Sequence, residues 1–592
     1  MVVAVRTRWP PLRRMAVTIW ANSGASSTTR TSASRTGANL PVVPPATGMV
    51  LGAALVTDGA VSTGDDRPVR RRCRRGPPRW LARSVVDHRV TTYVTSRFVA
   101  PLPGPHLASA VMRVAVVGGG VSGLGSALAL ARQGHDVEVF ERDDTPMPAT
   151  ADAAFDWDRR GAPQVRHSHA FLARLRNMLR DDYPDLLEGV LAQGATEMRF
   201  GDDLPPTLTG FVREPGDDDL VMLACRRTTF EWVLRRAALG EGRVTFRSGV
   251  AVDGLVRADE PGRPRVVGVR LAGGGTVDAD LVVASGGRRS VVPEWLEQIG
   301  APPVREDVED TGIVYYSRFY RLRPGESYPP RTGPIGGDLG YLKYGVFVGD
   351  NGTFSVTLAT PVDDEQLRRL LTDPDVFDTT ARNLVATAPW LDGRAEPITG
   401  VHAMAGLLNR WREYVVDGEP VATGLVPVGD AVLCTNPLYG RGCSTAFWGA
   451  HLLARAVEAF GDDTREVALA YDASLRSEIH PWYRAGVEQD AEARRVAEAI
   501  LAGRDPDADA NDPRTFMRGV FRDGLLPAMR TDAVVLRAFF RSFNLLERPD
   551  AMATNADVGA RVLAVWQMRD QRPPEQPLGP RHRSDLLDLI AA

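Results

Sequence analysis

The stretch that most constrains this chain is "RVAVVGGGVSGLGSALALARQGHDVEVFER", residues Arg113 to Arg142. It opens on a β-branched run, Arg113–Val117, which predicts a strand buried on both faces. Gly118, Gly120 and Gly123 follow in G-x-G-x-x-G register, and a helical pattern from Val121 stops at Gly134. A second strand is predicted over Asp136–Phe140, and an acid, Glu141, ends it. Strand, helix and strand within about 28 residues make a βαβ unit, the context a dinucleotide fingerprint requires. Gly118 permits the tight turn, and Gly120 lets backbone N–H groups approach a pyrophosphate at the positive end of the helix. Gly123 lets helix and strand pack closely. Glu141 is placed to accept hydrogen bonds from ribose hydroxyls, with Arg142 beside it as a further cofactor-binding candidate. The fingerprint by itself leaves NAD and FAD open.

The 592 residues allow two or three domains and a large core. A net charge of −3 hides an asymmetry: residues 1–111 hold 16 arginines and four aspartates, with no lysine or glutamate. That segment is rich in Ser, Thr and Pro, has an Arg cluster over Arg70–Arg79 and lacks sustained periodicity. It is expected to be a disordered or non-native extension, with a targeting segment or a basic arm as the competing readings. Met112 has the look of a natural start. The remainder carries an acidic surplus, which argues against nucleic acid as a partner. Cys73, Cys225, Cys434 and Cys443 form no CxxC pair and match no zinc spacing, so a reducing, cytoplasmic setting and no metal are expected. No apolar run approaches the 18 or so residues of a membrane span.

Further along, "RRTTFEWVLRRAAL" (Arg226–Leu239) predicts a helix, and "TVDADLVVASGGRRS" (Thr276–Ser290) a strand entering a Gly/Arg turn. Aromatic and alternating strands over 310–360 predict an antiparallel sheet in a separate layer. "EQLRRLL" and "FDTTARNLVATAPWL" are expected to be helical, "GLVPVGDAV" (Gly424–Val432) a buried strand, and the chain beyond about residue 460 mostly helical. The fold class is therefore α/β: a Rossmann-like domain, discontinuous over 112–300 and 415–460, an antiparallel-sheet substrate domain over 301–414, and a helical region over 461–592.

Together with the fingerprint, three segments resemble the FAD-dependent aromatic hydroxylase superfamily, the group A flavin monooxygenases. "RTTFEWVLR" is similar to that family's Arg-led helix and makes Arg227 a site candidate. "ADLVVASGGRRS" stands where the family has a strand ending in Asp-Gly or Asp-Ala-Thr-Gly-Arg, but Ala284 replaces the usual Asp; Gly286, Gly287 and Arg288 remain available to bind phosphate. "VGDAVLCTNPLYGRGCSTA" is similar to the Gly-Asp…Pro…Gly-x-Gly segment. The resemblance implies that Gly429 and Asp430 hold the ribityl chain of FAD, that Pro437 shapes the loop beside the ring, and that Gly440 and Gly442 let backbone approach it. The helix from Cys443 and Ser444 would then aim its N-terminus at the flavin.

"GAPQVRHSHAFL" (Gly161–Leu172) resembles a loop of one subgroup, which includes bacterial polyether epoxidases. On a strand, His167 and His169 would share one face, as a metal pair needs, but no acid or cysteine stands at ligand spacing. The resemblance favours a flavin-side loop, with Gln164 and Arg166 as polar contacts to FAD and the histidines as hydrogen-bonded orienters.

The function implied is an FAD-dependent monooxygenase that epoxidises or hydroxylates an apolar olefinic or aromatic small molecule with O2, through a flavin C4a-hydroperoxide. NAD(P)H would be the electron donor, directly or through a partner reductase. The flavin carries the chemistry, so no protein group is assigned as catalytic. Alternatives are a geranylgeranyl-reductase-like flavin enzyme and a non-catalytic prenyl-protein escort. A halogenase is disfavoured, because its early lysine and Trp-x-Trp-x-Ile-Pro motif are missing. Tyr315, Tyr316, Phe319, Tyr341, Tyr344 and Phe347 are candidates either for the floor of a substrate cavity or for sheet core. Oligomeric state is left open.

Overall fold

The computed structural model describes residues 110–330, 335–573 and 577–591; all but the last two residues of the expected 1–111 extension, Cys73 included, lie outside them. In chain order, the elements that build the site are β1 (Arg113–Val117), α1 (Val121–Arg132), β2 (Asp136–Glu141), α2 (Arg227–Gly240), β3 (Val244–Ser248), β4 (Leu281–Ala284), β5 (Ile313–Leu322), β6 (Lys343–Val348), β7 (Thr353–Pro361), β8 (Leu408–Glu413), β9 (Leu425–Pro427), α3 (Gly442–Phe460) and α4 (His480–Leu501).

The expected βαβ unit sits at the middle of a five-stranded parallel sheet in the order β9-β4-β1-β2-β3. The glycine turn lies where three of these strands end. Gly118 N–H donates to the Phe140 carbonyl at 2.8 Å, and Ser285 N–H donates to the Val117 carbonyl at 2.8 Å. Gly118 holds φ +108°, and a Cβ there would lie 2.5 Å from the Ser285 carbonyl oxygen. A Cβ on Gly123 would lie 1.9 Å from the Gly118 carbonyl oxygen, so the close helix-strand packing expected of Gly123 is a steric requirement. α1 is buried along Val121–Ala131 because α3 covers it: a Cβ on Gly125 would sit 3.0 Å from the Phe447 ring.

Between β3 and β4 the chain inserts a three-stranded antiparallel meander, Val252–Arg257, Val266–Leu271 and Thr276–Asp278; the single strand expected from Thr276 is split, its start closing this meander and its continuation forming β4 of the parallel sheet. A third sheet pairs β8 with Arg305–Asp310 and Leu433–Cys434.

The larger antiparallel sheet runs Gly336–Asp338, β6, β7, β5, Ala395–Pro397, with His402–Met404 also pairing along β5. Its two faces diverge because side chains alternate along each strand. Tyr316, Tyr341 and Tyr344 enter a core with Leu367, Leu371, Phe377 and Trp390, whereas Tyr315 lies on the opposite face with Ile313, Ala359 and Leu407. Of the six aromatic candidates, Tyr315 alone reaches the cavity described below. The helix expected through Leu391 covers only Pro374–Arg382 and gives way to a 3-10 turn at Ala388–Trp390. Pro389 lies within that 3-10 turn and bars a helix from running through to Leu391, but it stands too far along the chain to set the stop at Arg382. No helix among the described residues is long and apolar enough to cross a membrane.

The start of α2 is tied to the β6–β7 turn by a buried ion pair. Asp350 accepts from Arg226 N–H, Nε and Nη2, each at 2.8 Å, and from the Thr229 hydroxyl at 2.7 Å. Burial pushes the Asp350 carboxyl up, but the Arg226 bonds outweigh it and hold the group below its ordinary range. Asp350→Ala leaves a buried guanidinium short of its partner, so urea unfolding should show a loss of about 3–5 kcal/mol; a loss under about 1 kcal/mol would remove this pair from the account of stability.

Candidate functional site

A cavity of about 610 Å³ follows the C-terminal edge of the parallel sheet and continues to the Tyr315 face of the antiparallel sheet. At one end lie Gly118–Ser122, Glu141 and Arg142; at the other lie Tyr315 and the segment Met404–Leu408. Between them the walls come from Ser285–Val292, Asp430, Leu433–Thr435 and Gly442–Cys443. No side chain caps α1 at Gly120, and a Cβ there would meet nothing within 4 Å, so this backbone borders open space. Gly442, at the start of α3, is equally open. Two uncapped helix starts on one cavity form a ready anion-binding edge. The Ser285 and Ser290 hydroxyls are buried on the same cavity without a hydrogen-bond partner in the protein. A polar ligand in this space would satisfy them.

Behind the cavity wall runs a chain of buried charges. Glu141 Oε2 accepts from Gly119 N–H at 3.0 Å, and Oε1 accepts from Asp143 N–H at 3.0 Å. Arg159 Nη2 donates to Glu231 at 2.9 Å and to Glu141 at 3.4 Å. Glu231 also accepts from Arg227 Nε at 3.0 Å. Burial works against the Glu231 charge, but Arg159 and Arg227 together hold its carboxyl below the ordinary range.

Arg227 Nη1 then reaches His169 Nε2 at 3.2 Å and Cys443 Sγ at 3.2 Å. Arginine only donates, so Nε2 is an acceptor and His169 carries its proton on Nδ1, which donates to the His167 carbonyl at 2.9 Å. Burial, reinforced by the Arg227 charge, pulls His169 down to about 3. His167 bonds Ser317 Oγ through Nδ1 at 3.2 Å and stacks edge-on against Tyr315 at 4.7 Å. Burial, with His402 and Arg288 nearby, pulls it down to about 3 as well. Both rings are therefore neutral and fixed. They do not lie on a strand: they follow a 3-10 turn, Pro163–Arg166, and make separate contacts. Among the described residues no group of three His, Cys, Asp or Glu is placed to hold a metal.

Of the residues singled out in the sequence, Gly118, Gly120, Glu141, Arg142, Gln164, Arg227, Asp430, Pro437, Gly440, Gly442 and Cys443 line the cavity. Four do not. Gly123 packs against the Gly118 turn, and Gly429, at φ +67°, abuts Ser122 Oγ from behind. Ser444 is buried and accepts from Leu172 N–H at 3.2 Å. Arg166 is exposed, because the 3-10 turn directs Gln164 to the cavity and Arg166 to solvent. Burial raises the Asp430 carboxyl, against the pull of Arg227 and Arg288.

Sequence motifs missed the residues that hold the loop Asn436–Gly442 from outside. Asp490 on α4 accepts from Tyr439 OH at 2.6 Å, Asn436 Nδ2 at 2.8 Å and Asn409 Nδ2 at 2.6 Å. Asn409 Oδ1 in turn accepts from Asn436 N–H at 2.8 Å. These partners stand at 409, 436, 439 and 490, and no local spacing announces them.

Residues 113–184 match the FAD dependent oxidoreductase family. The chain is 28% identical over 496 residues to Protein Rv3254 of Mycobacterium tuberculosis, covering 79% of this chain and 97% of that protein. It is 26% identical over 469 residues to a kynurenine 3-monooxygenase of Salinispora arenicola, covering 72% and 92%. Among solved structures, the probable FAD-dependent monooxygenase pqsL of Pseudomonas aeruginosa is similar, with 17% identity, a TM-score of 0.46, and 66% of this chain and 96% of that chain covered. The family match thus falls on the strand-turn-helix and the segment after it, and the similarity to a kynurenine 3-monooxygenase extends over most of the chain.

The neutral state of His167 sets a pH dependence. Below about 6.5 the unfolded chain takes up a proton that the folded chain refuses until about 3, so stability present above 6.5 is lost as pH falls. Between pH 7 and 5 the parent should lose about 2 kcal/mol more than His167→Gln. Equal losses in urea titrations at the two pH values would show that His167 titrates normally in the folded state.

Proposed function

We propose that the chain is a monooxygenase that uses FAD and O2 to epoxidise or hydroxylate an apolar olefinic or aromatic small molecule. The observation that carries this reading is the continuity of one cavity from a dinucleotide turn to an aromatic, thioether-bearing wall, Tyr315 with Met404, Leu407 and Leu408. A pocket for NAD alone would not need that second half. The residues present fit FAD: open backbone at Gly120 and Gly442, and unsatisfied hydroxyls at Ser285 and Ser290.

In this reading the α1 start takes the pyrophosphate, Glu141 and Arg142 the adenosine ribose, and Asp430 the ribityl chain. Backbone at Pro437, Gly440 and Gly442 lies along the ring, with Gln164 beside it. Arg227, fixed by Glu231, orients His169 and Cys443 at that edge. When bound, FAD supplies the electron transfer and oxygen activation. The protein contributes position and a dry wall; the neutral histidines hold their hydrogen-bonded geometry without adding charge to the cavity.

NAD(P)H is the proposed reductant, directly or through a partner reductase. The loop Gly161–Leu172 supports an epoxidase-like branch, with a polyketide- or terpenoid-like alkene as substrate. The three described cysteines are free thiols, which supports a cytoplasmic setting.

The purified full chain should be yellow, and suitable alkenes should accelerate both NAD(P)H oxidation and oxygen uptake. Double-bond saturation without oxygen in the product would favour a reductase, and a colourless protein that takes up no FAD would end the flavin reading. Gly120→Val, which projects a side chain into the open space before α1, should weaken FAD binding at least tenfold, about 1.4 kcal/mol, with folding intact. Unchanged flavin content would displace the pyrophosphate from that turn.

A further inference from the structure

A row of polar side chains crosses the cavity face of the antiparallel sheet. His402, Ser317 on β5 and Thr357 on β7 stand directly opposite one another on adjacent strands, so their side chains share a face. The same face is otherwise aromatic or apolar, with Tyr315, Ala359 and Met404 to one side of the row and Phe319 to the other. Ser317, Thr357 and Ser355 are buried, as is His167 on the loop that packs over them. Buried hydroxyls must find partners, and these find one another.

Their bonds form one continuous chain. Ser168, which lines the cavity, donates to Ser355 at 2.7 Å, and Thr357 donates to Ser168 at 2.7 Å. A hydroxyl has a single proton, so Thr357 accepts from Ser317, at 3.1 Å. Ser317 has then spent its own proton, and His167 Nδ1 donates to it at 3.2 Å. His167 is therefore the Nδ1–H tautomer, with Nε2 left to accept. Every donor points from the histidine toward the cavity. Beyond His167, the half-buried His402 ring stands edge-on at 6.3 Å between centroids, within reach of one bridging water.

Oxygenation creates a demand that such a chain can meet. Placing one atom of O2 in a substrate and releasing the other as water consumes two electrons and two protons. A hydride donor supplies both electrons and one proton; the second proton comes from solvent and must enter a cavity kept dry. We propose that His402, His167, Ser317, Thr357 and Ser168 form a relay that carries this second proton into the cavity. The proposal rests on the oxygenase reading and adds a device to it. A proton arrives at His167 Nε2 as the Nδ1 proton moves to Ser317. Ser317 passes its own proton to Thr357, and Thr357 passes its own to Ser168. Ser168 turns from Ser355 and gives its proton to the oxygen that leaves as water. The protein bonds of the chain lie at the separations over which such transfer runs. No net charge rests on the way, which suits a ring that burial keeps from becoming a stable cation. The chain then resets by hydroxyl rotation and a tautomer shift.

Two measurements test the relay. In the full chain without cofactor, labelled with nitrogen-15 histidine, the His167 signals are those lost in His167→Gln. They should show the Nδ1–H tautomer; an Nε2–H ring would reverse the donors and overturn the proposal. In the FAD-loaded chain, reduced by light and mixed with O2, flavin reoxidation consumes a proton and is followed by absorbance. Thr357→Val removes one hydroxyl from the middle of the chain and keeps the side-chain shape. It should slow reoxidation by about tenfold or more, with flavin content and thermal unfolding at the parent level, and Thr357→Ser should restore the rate. Ser317→Ala, which cuts the neighbouring bond, should act alike and replaces Thr357→Val if that variant does not fold. Parent-like reoxidation in a folded variant overturns the relay. A chain that takes up no FAD ends the flavin reading instead, while the tautomer is still read without cofactor.

Discussion

Glu231 is the buried charge on which the rest of the site depends. One carboxylate on α2 answers two arginines, and each carries its constraint to a different part of the cavity. Arg159 passes it to Glu141 and to the Gly119 carbonyl at 3.3 Å, which fixes the dinucleotide turn from below. Arg227 passes it to His169 and to Cys443 at the head of α3. The dinucleotide turn, the loop at His169 and the head of α3 at Cys443 are thereby held in one register. Burying such a group is unfavourable unless every partner is present, so removing any member leaves an uncompensated charge in the interior. That cost fixes the loop Gly161–Leu172 in one place where a hydrophobic contact would let it slide.

Asp490 has the same task at the opposite wall. It carries a carboxyl that burial raises, and three side-chain donors from β8 and the loop Asn436–Gly442 hold it. The helical C-terminal region thus braces the loop from behind, through Asp490 and through the Trp482 carbonyl on α4, which accepts from Arg441 Nη1 at 3.3 Å. The loop Asn436–Gly442 is gripped from α4 behind and shaped by Pro437 within. Its glycines then leave backbone facing the cavity, with open space beside Gly442. Rigid support on one side and open space on the other is what a preorganised ligand surface needs.

Much of this was legible in the sequence wherever the constraint is local. The strand Arg113–Val117 and the helix from Val121 match expectation in their boundaries because hydrophobic period and glycine placement fix them within one turn. The parallel pairing of β1 with β2 follows from the short helical crossover between them. The antiparallel layer was announced by its alternating aromatic strands. The meander Val252–Leu271 was not, since its short strands are exposed on one side and carry no strong pattern. The tract Phe377–Leu391 was read as helix throughout, although Pro389 ends that possibility.

The sequence by itself determined a strand-turn-helix with bare backbone at its turn, and the structure shows why glycine is needed there: φ is +108° at Gly118, and a Cβ on Gly123 would lie 1.9 Å from the Gly118 carbonyl oxygen. It also led to the expectation that the loop bearing His167 and His169 stands beside the glycine turn, and Gln164 and His169 do line the same cavity. Only the tertiary structure decided what each side chain does there. It turned Arg166 to solvent and Gln164 inward, withdrew Ser444 into a bond with Leu172, and made both histidines neutral. It also placed Tyr315 on the cavity and Tyr316 in the core. The reason is physical: backbone conformation depends on neighbours a few residues away, whereas charge, protonation and exposure depend on whatever the fold brings within a few ångströms. Here those neighbours come from positions as distant as 141, 231, 317 and 443.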